Sequence, residues 1–118
     1  MIYKCIACKE IGFDTFYKKE KALNYLLTLD NEQKDVFIYH FNNEYISNII
    51  DYYKETQFEF IDNQIYYKDY YIKVDLYFVE TNHIEYNLLF EYLKRIHRIW
   101  CCIDEENNII WINACKFV

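Results

Sequence analysis

Residues 71–79 carry the cleanest alternation in the chain. Ile72, Val74, Leu76 and Phe78 fall on one side of an extended strand, and Tyr71, Lys73, Asp75 and Tyr77 on the other. Upstream, the runs 58–61 and 65–67 flank Asp62-Asn63-Gln64 as a hairpin, and Lys68-Asp69 supplies the next turn. Ile2, Tyr3, Cys5, Ile6, Ala7 and Cys8 predict a first strand within residues 1–9. The segment DVFIYHF at 35–41, rich in β-formers, predicts a second. Near the C-terminus, 99–103 and 109–117 flank Asp104-Glu105-Glu106-Asn107-Asn108 as a last hairpin with an acidic tip. Both of its faces are apolar: Ile99, Cys101, Ile103, Ile109, Trp111 and Cys115 on one, Trp100, Cys102, Ile110, Ile112 and Ala114 on the other. Such a hairpin belongs under helices.

Elsewhere the apolar positions recur at helical spacing. Asp14 or Thr15 is placed to cap a helix running to about Leu29, with Phe16, Leu23, Leu26 and Leu27 on one face. Asn42 or Asn43 caps a second helix through Lys54, whose stripe is Ile46, Ile49, Ile50 and Tyr53. Thr81-Asn82 opens a third, with Glu85 three residues behind Asn82 as in a capping box and Ile84, Leu88, Leu89, Tyr92, Leu93 and Ile96 on its buried face. Lys94, Arg95, His97 and Arg98 crowd its last turn, where cations suit the helix dipole. The resulting order is β-α-β-α-β-β-β-α-β-β. It predicts one α+β domain over residues 1–118, with a mixed or mainly antiparallel sheet and about three helices packed on one face.

Composition sharpens the picture by exclusion. The chain has 118 residues, 53% of them hydrophobic, enough for a single packed core. Gly12 is its only glycine and it has no proline. A P-loop or a dinucleotide fingerprint needs several glycines so that phosphate can approach the backbone amides, and neither can be built here, nor can a Gly-rich acyl-CoA turn. The nucleophile elbow fails too, since Ser47 is the only serine and has no flanking glycines. No run of about 18 apolar residues is present and the first residues lack a secretory h-region, so a soluble cytoplasmic protein is expected.

Net charge is −6, spread evenly along the chain. That balance disfavours binding to nucleic-acid phosphates and steers the molecule towards basic surfaces. The abundance of Ile, Asn, Lys, Tyr and Phe beside one Gly, no Pro and two Arg matches an AT-rich genome, as in a virus, phage, mobile element or low-GC bacterium.

Few constellations suggest chemistry. Cys5-Ile6-Ala7-Cys8 has zinc-ligand spacing, and Cys101, Cys102, Cys115 and His97 could complete a site. On a strand, however, Cys5 and Cys8 face opposite ways, so these thiols read as small buried hydrophobes. Asp75 with Lys73 is the best acid–base pair among Glu59, Asp62, Asp69 and Asp75, although such charges on a strand face ordinarily serve solvation. His40, His83 and His97 lack a spaced partner, and His97 is expected as a solvated cap whose pKa is depressed by its basic neighbours.

The strongest feature is aromatic. Tyr52, Tyr53, Tyr66, Tyr67, Tyr70, Tyr71 and Tyr77 cluster in the middle third, interleaved with Lys68, Asp69, Lys73 and Asp75. Tyrosine supplies large contact area with little lost rotamer freedom, which suits recognition surfaces. The expected function is therefore a small acidic, non-enzymatic protein-binding inhibitor of the phage anti-defence (anti-CRISPR-like) or toxin-immunity type. It would need no cofactor or metal and would neutralise a basic nuclease or nucleic-acid-guided effector by docking on it. The expected binding residues are Tyr66, Tyr67, Asp69, Tyr70, Tyr71, Asp75 and Tyr77 with the tip Asp104, Glu105 and Glu106. An alternative is a domain that binds or cleaves a nucleotide-like ligand, stacking bases on Tyr and holding phosphate with Lys68, Lys73, Arg95 or Arg98. A third is a zinc-stabilised module.

Overall fold

A computed structural model describes residues 1–17, 19–62 and 64–113, with nothing stated for the side chain of Glu20. Seven strands join in one sheet: β1 (Tyr3–Cys8), β2 (Glu59–Ile61), β3 (Gln64–Tyr67), β4 (Tyr70–Val74), β5 (Val79–Thr81), β6 (Ile99–Asp104) and β7 (Ile109–Asn113). Their order is β2-β3-β4-β5-β1-β6-β7, and every pairing is antiparallel. The N-terminal strand thus lies inside the sheet, between strands formed by the second half of the chain. Five helices accompany it: α1 (Glu10–Phe16), α2 (Glu20–Leu26), α3 (Asn31–Phe37), α4 (Glu44–Tyr52) and α5 (Leu88–Ile96). The α+β class holds, with more helix than the periodicity predicts.

Helices cover both faces of the sheet rather than one, because β1 and β6 are apolar on both. Cys5, Ala7, Val79, Trp100 and Cys102 pack with Ile46 and Ile49 of α4 and Leu89, Phe90 and Leu93 of α5. On the other face Ile6, Cys8, Ile99 and Cys101 pack with Phe16 of α1, Leu23 and Leu26 of α2, and Ile38. This second layer covers only the β1–β6–β7 end. Towards β2 the same face carries Lys4, Glu80, Lys73, Tyr71, Tyr66 and Gln64, aligned by register and all half-buried or exposed.

Four predicted elements change. The helix expected from Asp14 or Thr15 to Leu29 is two helices, α1 and α2, and it begins earlier. The strand expected over 35–41 does not form: 35–37 are the end of α3, and 38–41 are extended chain with one isolated bridge. Asp30 Oδ1 accepts from the Gln33 N–H at 2.8 Å while Gln33 Oε1 accepts from the Asp30 N–H at 3.4 Å, a reciprocal cap that outweighs the β-propensity of the residues behind it. What remains of the strand is a bridge from Ile38 to Cys8, with the Tyr39 N–H donating to the Ala7 carbonyl at 2.9 Å. The long strand 71–79 is split into β4 and β5 by a turn in which the Asp75 N–H donates to the Phe78 carbonyl at 2.9 Å, leaving Leu76 50% exposed.

The last helix begins at Leu88 rather than near Asn82. Asn87 is its N-cap, with Oδ1 accepting from the N–H groups of Leu89 and Phe90 at 3.0 and 3.3 Å. Asn87 is fully buried, and its Nδ2 donates to Thr81 Oγ1 and the His83 carbonyl, both at 2.9 Å. Asn82 instead clips the β3–β4 hairpin, accepting from the Tyr71 N–H at 3.1 Å and donating to the Asp69 carbonyl at 2.6 Å. Of the expected final hairpin, residues 114–117, with Ala114 and Cys115, lie outside the described residues.

Gly12 marks the tightest backbone approach. A Cβ there would lie 2.2 Å from the Phe37 carbonyl oxygen, so α1 and the end of α3 touch main chain to main chain. Gly12→Ala is expected to destabilise the fold by about 1–3 kcal/mol through forced separation of these helices. Asn87→Ala should cost about 2–3 kcal/mol, since it strands buried amide donors at a helix start, and clearly more than Asn82→Ala. Denaturant unfolding of the three variants checks both statements.

Candidate functional site

The β3–β4 hairpin sorts its four tyrosines by strand alternation. Register pairs Tyr66 with Tyr71 and Tyr67 with Tyr70. Tyr67 points to the helix-covered side, where it lies edge-on to Phe58 at 5.9 Å against the core, and Tyr70 meets His83 edge-on at 5.0 Å. Tyr66 and Tyr71 occupy the open side, their rings 5.7 Å apart. The Tyr71 hydroxyl donates to Glu80 Oε2 at 3.0 Å, and that of Tyr66 donates to Gln64 Oε1. Burial, followed by the bond to Glu80, pushes the Tyr71 hydroxyl pKa up to about 12, so it remains a donor at all physiological pH. Glu105 adds a smaller contribution to that shift across space.

Beside this ladder runs a groove of about 720 Å³ between the sheet, the α2–α3 layer and the β6–β7 tip. Its apolar lining includes Ile6, Phe78 and Ile103, extended by Ile2, Leu27 and Leu76, which are 41%, 45% and 50% exposed. Asp75, Asp104 and Glu105 line it as well. Its two lysines are drawn onto rings: Lys4 Nζ sits 5.0 Å from the Phe78 centroid and Lys34 Nζ 5.2 Å from that of Tyr77.

Tyr77, Asp104 and Glu105 are held from within the fold. The Tyr77 hydroxyl, whose pKa is raised by burial and by its bond to Asp35, donates towards Asp35 Oδ1 at 3.0 Å and the Asn31 carbonyl at 2.9 Å, tying the β4–β5 turn to α3. Asp104 is not an exposed tip residue as expected but is 9% exposed at the end of β6. Its carboxylate accepts from the N–H groups of Glu106 at 2.8 Å and Asn108 at 2.9 Å and from Asn108 Nδ2 at 3.2 Å. Burial alone would raise its pKa, but these bonds together hold it below the ordinary carboxylate range. Glu105 Oε1 accepts from the Ile2 N–H at 2.7 Å.

Of the ten residues expected to bind, Asp75, Tyr77, Asp104 and Glu105 meet in the groove, while Tyr66 and Tyr71 lie outside its lining on the open sheet face. Glu106 and Asp69 are exposed in turns, while Tyr67 and Tyr70 face the other way. Glu80, which anchors Tyr71, escaped sequence reading because the strand break that places it opposite Lys73 carries no Gly or Pro.

The remaining candidates sit apart. Asp75 lies beyond the end of β4, whereas Lys73 pairs in register with Glu80 and Gln64, so the expected Lys73–Asp75 strand face is interrupted. Lys68 lies over the Tyr67 ring and Arg95 over that of Tyr52. Cys5 pairs with Cys102 on one side of the sheet while Cys8 and Cys101 join the core on the other. Burial pushes the Cys8 thiol up to about 12 and raises those of Cys5 and Cys101 as well. No cluster of three potential metal ligands is found among the described residues, and none of their helices is long and apolar enough to cross a membrane.

No protein-family model matches this chain, and no curated protein is significantly similar to it.

His97 is no solvated cap. Its ring stacks on Tyr39 at 4.1 Å and its Nε2 is hydrogen bonded to the Tyr45 hydroxyl at 2.9 Å, with Phe41 and Trp100 edge-on. Burial, not basic neighbours, lowers its pKa below the ordinary histidine value. The unfolded chain therefore takes up this proton more readily than the folded one. The contribution of neutral His97 is fully present above about pH 6.5 and is lost as pH falls through the lower folded pKa. Thermal melting of the wild type should drop more steeply from about pH 7 to 5 than that of His97→Gln, which has nothing to protonate there.

Proposed function

We propose that this chain is a non-enzymatic inhibitor that docks its open sheet face and groove onto a basic partner protein, in the manner of phage anti-defence or toxin-immunity proteins. The partner class is a nuclease or nucleic-acid-guided effector in the cytoplasm of the host cell. The observation that carries this reading is the groove, where exposed Ile2, Leu27 and Leu76 adjoin the carboxylates of Asp75 and Glu105. Apolar anchors of this kind hold a complex by excluding water, and surrounding carboxylates steer a cationic partner into register. The net charge of −6 supports the same steering over longer range. Tyr66 and Tyr71 extend the face as rigid amphipathic contacts already fixed by Gln64 and Glu80, so little side-chain freedom would be lost on docking.

Capture from host lysate, identification by mass spectrometry and titration of the purified partner test the proposal. A basic nucleic-acid-cleaving partner should be blocked at one-to-one stoichiometry, with affinity falling steeply as salt rises beyond physiological strength. Leu76→Ala and Tyr66→Ala should each weaken binding by about 1–2 kcal/mol without changing the melting temperature much. Tyr67→Ala, on the core side, should lower stability and leave affinity unchanged. Affinity indifferent to salt, Leu76 and Tyr66 alike would sink the reading, as would turnover of substrate by the chain alone.

A further inference from the structure

The two edges of the sheet are unlike. Edge strand β2 is only three residues long and carries Glu59, the usual protection against further pairing. Edge strand β7, Ile109-Ile110-Trp111-Ile112-Asn113, is five residues without a charge or a proline. Its outward groups can be assigned from the turn. The Asp104 N–H donates to the Asn108 carbonyl at 3.0 Å and the Asn107 N–H to the Asp104 carbonyl at 3.1 Å, with Asn107 at φ 64°, a three-residue hairpin loop closed by a bulge. Bonded and non-bonded pairs then alternate along the ladder. Cys102–Ile110 and Trp100–Ile112 exchange bonds, while Ile109, Trp111 and Asn113 turn their N–H and C=O groups away from β6.

On the helix side this edge borders a cleft of about 950 Å³ lined by Phe16, Tyr17, Lys19, Lys21 and Trp111, among others. Trp111 is fixed there, edge-on to Phe13 and Tyr17 at 5.6 Å each. Both lysines are exposed, and among the described residues no carboxylate lies within ion-pair distance of either. In a chain of net charge −6, this is a local cationic wall beside an aromatic floor and a row of backbone groups that no other described strand pairs.

We propose that β7 accepts an eighth strand from a partner protein, an extended segment alternating acidic and apolar residues. Its backbone would bond Ile109, Trp111 and Asn113, its apolar side chains would cover Trp111, and its carboxylates would meet Lys19 and Lys21. A second copy fits less well. Two β7 strands paired about a two-fold axis keep the same face of both sheets on one side, which would bring the two lysine walls together. This surface uses none of the groove residues, so it stands whether or not the groove binds a basic partner.

The test titrates the full chain with fluorescein-labelled peptides of about ten residues, alternating Glu with Val or Lys with Val, read by anisotropy and by NMR amide exchange. The Glu peptide should bind saturably, at least about tenfold tighter than the Lys peptide, and should slow exchange at Ile109, Trp111 and Asn113. The Lys19→Glu/Lys21→Glu double variant, altered only at exposed positions, should reverse that preference. Ile109→Pro, which removes an outward N–H, should weaken both peptides.

Absence of binding, or a preference unmoved by the lysine reversal, overturns the proposal. A concentration-dependent dimer abolished by Ile109→Pro would give the edge to a second copy.

Discussion

Everything in this molecule is arranged around a strand pair buried on both sides. β1 and β6 share six register pairs, and from Cys5 to Cys8 and Ile99 to Cys102 every residue is at most 9% exposed. A pair so placed must be apolar on both faces, and it must be thin where helices approach from both directions. Cys5, Ala7, Cys8, Cys101 and Cys102 meet the second demand, while the large residue, Trp100, is received on one side between Phe41 and Phe90. Its indole N–H donates to the His97 carbonyl at 2.7 Å, so the bulk is accommodated without an unsatisfied donor. Because the helical layer on the second side stops at the β1–β6–β7 end, the remainder of that face is left open. The groove lies at that boundary.

A chain with one glycine and no proline must make its turns by other means. Left-handed conformations fall to Asp62, Lys68, Tyr86 and Asn107, with φ between 54° and 64°. Short polar side chains then secure what those residues begin. Asp104 gathers the amides of the β6–β7 tip, Asp30 nucleates α3, Asn87 starts α5, and Asn82 clips the β3–β4 hairpin. The same devices aim the groove: Asp104 orders the tip from which Glu105 meets the Ile2 amide, and Asp35 with the Asn31 carbonyl anchors the turn bearing Leu76 through Tyr77.

The legible parts of the fold were those set by local alternation. The 58–67 hairpin, the terminal hairpin with its face assignment as far as Ile112, the α4 stripe and the opposition of Cys5 and Cys8 all follow from periods of 2 or 3.6 residues. Illegible parts were decided by competition between local signals. Asp30-x-x-Gln33 was present as a cap, yet the β-rich residues after it pointed to a strand. Asn82-x-x-Glu85 looked like a cap, yet the buried partner Thr81 Oγ1 selected Asn87. The break at 75–78 interrupts unbroken alternation, so only pairing of β5 with β1 reveals it. For the site, alternation requires that adjacent tyrosines on a strand face opposite sides, as Tyr66 and Tyr67 do. It could not tell that the hairpin tip and the β4–β5 turn face a common groove, since that depends on the order of strands across the sheet.

The cysteines of the central pair act as internal clocks. Cys5, Cys8, Cys101 and Cys102 are all reduced and buried, two on each side of the sheet. An alkylating reagent reaches a thiolate only where solvent does. Modification of Cys5 and Cys102 would therefore time the lifting of the α4–α5 layer, and modification of Cys8 and Cys101 the lifting of α1–α3. Mass analysis that locates the label within each peptide would thus separate the breathing of the two layers.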